Sequence, residues 1–234
     1  MLAWMSPSFP VGAYTYSHGL EWAIEAGDVC DADSLAHWCA GVLIHGAGRS
    51  DAILLAHAMT AAHAGDVRTL RDLLDLARAL QPSAERRLEA TAQGDAFIAA
   101  VRDAWPPNAA SQAGDTPAQS VFATLTSGPE AIPRGGWSYP LAVAVSAAAH
   151  GLSADAVRFA YLHAFAANLV SAAVRAVPLG QTDGQRVLNR LGPVLRQVAE
   201  EAGTASLDEI GGCAFAADIA SMNHETQYTR LFRS

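Results

Sequence analysis

Lysine is absent from this chain: all fifteen of its basic residues are arginine. A Walker-A phosphate loop needs the lysine of Gly-x-x-x-x-Gly-Lys-Ser/Thr, so the chain is not a P-loop nucleotidase. A lysine Schiff base is excluded for the same reason. Cysteine is scarce. Cys30, Cys39 and Cys213 stand far apart, with no Cys-x-x-Cys pair and no disulfide framework, which fits free thiols in a reducing cytosol. Basic residues are outnumbered, fifteen against twenty-three acids, for a net charge of −8. Such a chain repels phosphate backbones, so nucleic acid is not an expected partner. No basic residue precedes Arg49, whereas Glu21, Glu25, Asp28, Asp31 and Asp33 all do. A solvated helix face with acids at a helix N-terminus accounts for this bias; attraction of a cationic partner is the other reading. No basic n-region opens the sequence, so no secretory signal is expected. The longest largely apolar run, residues 159–174, carries His163, Asn168 and Ser171 and falls short of the ~20 residues of a membrane span. The expectation is a cytoplasmic protein with no membrane segment.

Aromatics make up only 7% of the chain, while about half of it is hydrophobic, much of that alanine. Alanine has the best helix propensity and suits close helix–helix contact. No strand alternation of convincing length and no internal repeat is present. The expected fold is all-α: a single-domain multi-helix bundle over residues 1–234, with an irregular N-terminal segment, a flexible internal loop and a C-terminal tail. A first helix is expected from Ser17 to about Ala26. A second, capped by Asp33 or Ser34, runs toward Gly46 and Gly48, and a third starts at Ser50 or Asp51 and reaches His63. Val67, Leu70, Leu74 and Ala77 form the cleanest amphipathic stripe. A long helix over 84–105 is expected to turn Leu88, Ile98, Val101 and Trp105 inward, with Gly94 marking close approach of another backbone. Residues 106–120 are rich in Pro, Ala, Ser, Gln and Gly, and 128–137 hold five helix breakers, so a mobile loop is expected over about 106–136. Pro140 opens a helix to Ala149. Ser153 caps another to Val177 that is apolar nearly all round and so expected to lie centrally. On it Asn168, Ser171 and Arg175 share one face, as a hydrogen-bond network or as a subunit interface. Thr182 with Gln185, and Ser206 with Glu209, match the capping-box pattern. A short helix over 215–222 leads into the tail.

Eight histidines raise the question of a metal. No His-x-His, His-x-x-x-His or Cys-x-x-Cys spacing supports a closed site, so no metal site is expected. His18 and His224, each near a glutamate in an unusual end segment, could transiently meet Ni²⁺, for which imidazole is a suitable ligand. No Gly-x-Ser-x-Gly elbow and no dinucleotide fingerprint is present. No catalytic residue is assigned, and the chain is not expected to be an enzyme.

Three stretches stand apart from the alanine-rich background. Residues 6–21 read Ser-Pro-Ser-Phe-Pro-Val-Gly-Ala-Tyr-Thr-Tyr-Ser-His-Gly-Leu-Glu. Pro7, Pro10 and Gly12 suit an irregular lead into a helix. The alternation of Tyr14, Tyr16 and His18 calls for buried partners or another protein. Residues 177–186 read Val-Pro-Leu-Gly-Gln-Thr-Asp-Gly-Gln-Arg, and residues 222–234 read Met-Asn-His-Glu-Thr-Gln-Tyr-Thr-Arg-Leu-Phe-Arg-Ser. In this order, with Glu-Ala-Thr-Ala-Gln-Gly at 89–94 and Tyr-Leu-His-Ala-Phe-Ala-Ala-Asn-Leu-Val-Ser-Ala-Ala-Val-Arg at 161–175, they resemble the UreF family of urease accessory proteins over nearly the whole chain.

That resemblance implies an all-helical homodimer that assembles the nickel centre of urease. Its implied partners are UreD (also called UreH), the nickel-carrying GTPase UreG, and apo-urease. No stably bound cofactor is implied; nickel is met in transit. The tail over about 223–234, with His224, Glu225, Tyr228, Arg230, Phe232 and Arg233, is implied as the docking element for UreD. Its aromatic and arginine content suits an interface anchor. Tyr14, Tyr16, His18 and Glu21, with Arg175 and the turn carrying Gln181, Asp183 and Arg186, would offer surface to UreG or to a second subunit. Two mechanisms compete: a scaffold that restrains UreG and passes nickel, and a GTPase activator supplying an arginine such as Arg175, Arg186 or Arg230. Outside the family, the reading is an acidic helical interaction module of unknown partner, or a helical enzyme acting on a small molecule.

Overall fold

A computed structural model describes residues 1–107 and 116–234. Ten α-helices are present among them, and no strand. They are α1 (Leu20–Glu25), α2 (Ala32–His45), α3 (Ala47–Ala64), α4 (Val67–Ala79), α5 (Ala84–Ala104), α6 (Pro117–Thr126), α7 (Tyr139–Ala149), α8 (Ala154–Ala176), α9 (Gln181–Ala202) and α10 (Phe215–His224), with 3-10 turns at Ala13–Thr15 and Leu207–Glu209.

The caps are legible in the residues that make them. Asp31 accepts the Ser34 amide, and the Ser34 hydroxyl closes a capping box, so Asp31 rather than Asp33 or Ser34 begins α2. Asp66 caps α4 through Thr69, and Ser83 caps α5 through Arg86. Thr116 and Gln119 form a capping box ahead of Pro117. That cap places α6 inside the stretch expected to be a loop, because Ala118, Val121, Phe122 and Leu125 bury against the core. The end of the stretch is also tied down: Asp95 accepts the amides of Gly135 and Trp137, and Trp137 is buried. Part of the expected loop, residues 108–115, lies outside the described residues.

Two cores share α3 and α8. One gathers Trp4, Phe9 and Val11 of the N-terminal segment with α3, α4, α5, α6 and α7. Trp4 and Phe9 pack on Phe97 of α5 at ring separations of 5.7 and 5.2 Å. The other gathers α1, α2, α8, α9 and Phe232 of the tail. The enclosed helix is α7, buried from Pro140 to Ala149. Its alanines let α3 and α5 approach closely. The expectation that the 154–177 helix is central is corrected: α8 has an exposed side carrying Phe159, His163, Ser171 and Arg175. By length and composition α8 could cross a membrane, but 56% of its most apolar window is buried inside the fold, and it packs on α9, α3, α1 and α2.

Three further expectations are corrected. The third helix starts at Ala47, so Ser50 and Asp51 are buried within it rather than capping it. Gly180, not a Thr182–Gln185 capping box, opens α9. On α5, Leu88 and Trp105 point outward, 57% and 48% exposed, while Arg86, Glu89 and Gln93 point inward with Phe97 and Val101. Gly94 does mark a close approach: a Cβ there would lie 2.6 Å from the Trp137 carbonyl oxygen.

Candidate functional site

The inward polar stripe of α5 is the centre of the site. Arg86, Glu89 and Gln93 follow one another at i, i+3 and i+7, so they share one helix face. Glu89 is 1% exposed and accepts from four side chains. Arg86 donates to Oε2, Gln93 donates to Oε1 at 3.0 Å, His18 Nε2 lies 2.8 Å from Oε1, and the Ser234 hydroxyl donates to Oε2 at 2.6 Å. Burial pushes the Glu89 carboxyl up. The charges of Arg86 and His18 and the hydrogen bonds from His18 and Ser234 outweigh it and hold the group at about 2. His18 moves the other way, lowered by burial and by Arg86 against the raising influence of Glu89.

The N-terminal segment reaches Glu89 through an unusual turn. His18 has φ 59°, in the left-handed region that a non-glycine residue rarely adopts, and Gly19 follows at φ 77°. A side chain on Gly19 would meet the backbone of Ser221 at 2.6 Å, so the turn seats directly on α10. His18 also packs edge-on to Phe165 at 4.7 Å. Tyr16 is buried, and its carbonyl accepts from Asn168 at 3.3 Å.

The tail closes over this segment. Glu21 of α1 accepts the amides of Leu231 at 2.6 Å and Phe232 at 3.0 Å, and His224 Nε2 lies 3.1 Å from its second oxygen. His224 Nδ1 lies 2.6 Å from Glu85, whose other oxygen accepts from Arg230 at 2.6 Å. Glu225 accepts the amides of Ala84 and Glu85, placing an acid at the α5 N-terminus, where the helix dipole favours it. Gln227 donates to Glu25. Arg233 donates its amide to the Thr15 carbonyl, and Ser17 donates its amide to the Ser234 carbonyl at 2.7 Å. Phe232 is buried beneath the Arg175 guanidinium, 4.5 Å from the ring centroid, and Arg175 also donates to the Ser171 carbonyl.

The structure thus brings together Tyr16, His18, Glu21, Arg175, His224, Glu225, Arg230 and Phe232 from the sequence-derived set. From α8, Asn168 joins this junction through the Tyr16 carbonyl and Arg175 through Phe232. Tyr14 is 66% exposed, Tyr228 is fully exposed, and the Arg233 side chain is exposed at the rim. Gln181, Asp183 and Arg186 stand apart at the start of α9, where Arg186 pairs with Asp183 at 2.7 Å. Residue reasoning missed Glu85, Arg86, Glu89 and Gln93. Their helical spacing was the available signal, hidden because apolar residues were assigned to the inner face.

A cavity of about 160 Å³ with a mixed lining adjoins the junction; His18, Ser50, Asp51, Arg86, Asp218 and Ser221 face it beside apolar residues such as Val42, Leu54 and Leu80. Burial raises Asp51 to about 6, opposed by the hydroxyl of Tyr161, which donates at 2.7 Å. Among the described residues, no group of three or more His, Cys, Asp or Glu side chains is arranged to hold a metal ion. Both ring nitrogens of His224, and Nε2 of His18, face carboxylates of the protein itself.

These features define an all-helical protein in which a buried polar cluster joins the N-terminal segment to the C-terminal tail. The family model for UreF matches residues 29–192. Curated proteins named urease accessory protein UreF align with all 234 residues. That of Rhodopseudomonas palustris (strain BisB5) is 50% identical, with 90% of its own length covered. That of Xanthobacter autotrophicus (strain ATCC BAA-1158 / Py2) is also 50% identical with 90% covered, and that of Azorhizobium caulinodans is 48% identical with 94% covered. The chain belongs to the UreF family.

Proposed function

We propose that this chain is a cytoplasmic scaffold subunit of urease maturation, which joins UreD and the GTPase UreG so that nickel passes into apo-urease as GTP is hydrolysed. Nickel enters this reading as cargo, and the working form is a homodimer. Besides family membership, one observation carries the reading. The tail is anchored by its polar groups and by Phe232, while Tyr228 and Leu231 face outward, fully and 70% exposed. The neighbouring helix α10 presents Phe215, Ile219 and Met222 at i, i+4 and i+7, 67%, 56% and 48% exposed. Exposed aromatic and aliphatic side chains on an anchored backbone suit an interface core, because little loop entropy remains to be lost on docking.

The test is co-expression with UreD and UreG, followed by size exclusion with light scattering. The wild type is expected to assemble. The combined Ile219→Ala, Tyr228→Ala and Leu231→Ala variant is expected to lose UreD while its thermal midpoint stays near that of the wild type, since these side chains are exposed. Failure of the folded wild type to assemble sinks the scaffold reading in favour of an interaction module with another partner. Assembly of the triple variant moves the docking face elsewhere.

The activator reading keeps one specific support. Arg175 lies on Phe232 and Arg230 is bound to Glu85, but the Arg186 side chain is 72% exposed. A scaffold predicts that Arg186→Ala leaves GTP turnover of the assembled complex intact; an activator predicts a loss of about 10³-fold or more.

A further inference from the structure

The cavity between α2, α3, α5 and α10 is walled by charged groups whose bonding capacity the fold leaves partly unused. Arg86 lines it and is only 6% exposed. Its Nη1 donates to Glu89, but Nε and Nη2 meet no hydrogen-bond acceptor among the described residues. Asp51, also buried, accepts from Tyr161 through Oδ2 and leaves Oδ1 without a donor among them. Asp218, half-buried on α10, lines the same cavity. Both aspartates sense the Arg86 charge, yet Arg86 forms its ion pair with Glu89 and with neither of them. His18 adds a further open group: Nε2 faces the Glu89 carboxylate and so carries the ring proton, while Nδ1 is buried with no partner.

Charged groups buried together and held apart are costly unless something between them gives acceptors to one and donors to the other. A simple anion would satisfy Arg86 but be repelled by Asp51 and Asp218. A simple cation would satisfy the aspartates but be repelled by Arg86. A guest carrying both charges satisfies all three. The free Nε–Nη2 edge of the guanidinium matches the two oxygens of a carboxylate, and an ammonium group brings three N–H donors to Asp51, Asp218 and the Nδ1 of His18. The volume of about 160 Å³ is roughly that of five waters, the size of a small amino acid. Val42, Leu54 and Leu80 on the remaining wall suit its methylene carbons. We propose that this cavity binds a small aliphatic zwitterion, with its carboxylate on Arg86 and its ammonium on Asp51 and Asp218. Such a guest bridges α3, α5 and α10. The site lies inside the fold and is independent of the outward faces assigned to partner docking.

Calorimetric titration of the full chain with glycine, β-alanine and 4-aminobutanoate, which space the two charges by one, two and three methylenes, tests this. At least one of the three is expected to bind saturably, with a Kd of about 1 mM or below. Acetate and methylammonium each carry only one end, so each should bind about tenfold or more weakly than the best zwitterion. Asp51→Asn is the decisive variant. Its carbonyl still accepts from Tyr161, but its amide turns donors toward the ammonium, so affinity should fall by about tenfold or more. Asp218→Asn should weaken binding in the same direction. Absence of saturable binding by all three amino acids means that the cavity holds water only and overturns the proposal. So does acetate or methylammonium binding as tightly as the best zwitterion, since the site would then read one charge. Unchanged affinity in Asp51→Asn places the guest elsewhere and overturns it as well. Should Asp51→Asn fail to fold, Asp218→Asn decides by the same criterion.

Discussion

Asp51 and Glu89 are both buried acids, and their surroundings drive them in opposite directions. Glu89 has Arg86 and three further donors and is held at about 2, so its full stabilisation is present above its ordinary 4.5 and is lost progressively as pH falls from there through about 2. Asp51 accepts from the Tyr161 hydroxyl, and burial lifts it from 3.8 to about 6. A carboxyl raised on folding costs nothing below its unfolded value; the cost grows between about 4 and 6 and then levels off. Asp51→Asn should therefore gain on the wild type as pH rises. The difference in unfolding free energy, from denaturant titrations at about pH 4 and about pH 7, should shift by about 3 kcal/mol in favour of the variant. A difference that does not move with pH would remove Asp51 as the source. None of this was legible locally. Ser50–Asp51 matches a helix-cap pattern, and the residue that makes Asp51 an interior group, Tyr161, lies 110 positions away. The buried seat of Tyr16 beside His18 was better marked, because alternating aromatics ahead of a helix need partners.

At the scale of elements, the periodicity found the helices more reliably than it found their faces. The α4 stripe is buried as expected at Leu70, Leu74 and Ala77. On α5 the apolar positions Leu88 and Trp105 were assigned inward, yet a polar triplet owns that face because buried charges there are paired with groups from both ends of the chain. Helix α6 was absorbed into a breaker-rich stretch, although Thr116, Pro117 and Gln119 carry a capping signal. Gly94 was read correctly. Replacing it by alanine gains about 1 kcal/mol of helix propensity but drives a methyl group into the backbone of Trp137 and Ser138. Backbone cannot step aside as a flexible side chain can. Gly94→Ala should thus lose about 2 kcal/mol net, within the usual cost of overpacking, seen as a lower thermal midpoint. A neutral or raised midpoint would mean that the loop ahead of α7 yields.

Across the whole molecule, composition and helical spacing conveyed the all-α class, and the order of five motifs conveyed the family. What they could not convey is that two of those motifs are each other's partners. The N-terminal segment and the tail were read as surfaces awaiting other proteins, and much of each is instead spent on the other. Truncation is therefore a poor way to isolate a docking role. A chain ending at Met222 would strip His224, Arg230 and Ser234 from Glu21, Glu85 and Glu89, and Phe232 from its core. Loss of about 3–5 kcal/mol is expected, as when one member of a buried charged set is removed, and denaturant titration would show it; an unchanged unfolding free energy would mean that the tail contributes only to binding. The pairing of Ser17 with Ser234 also sets an order in time. The ribosome releases residues 17–21 before 224–234, with Ser17 and Ser234 separated by 217 positions. Until then Glu21 lacks the imidazole and amides it will finally hold, so the nascent chain carries an acidic notch that residues 224–234 later fill.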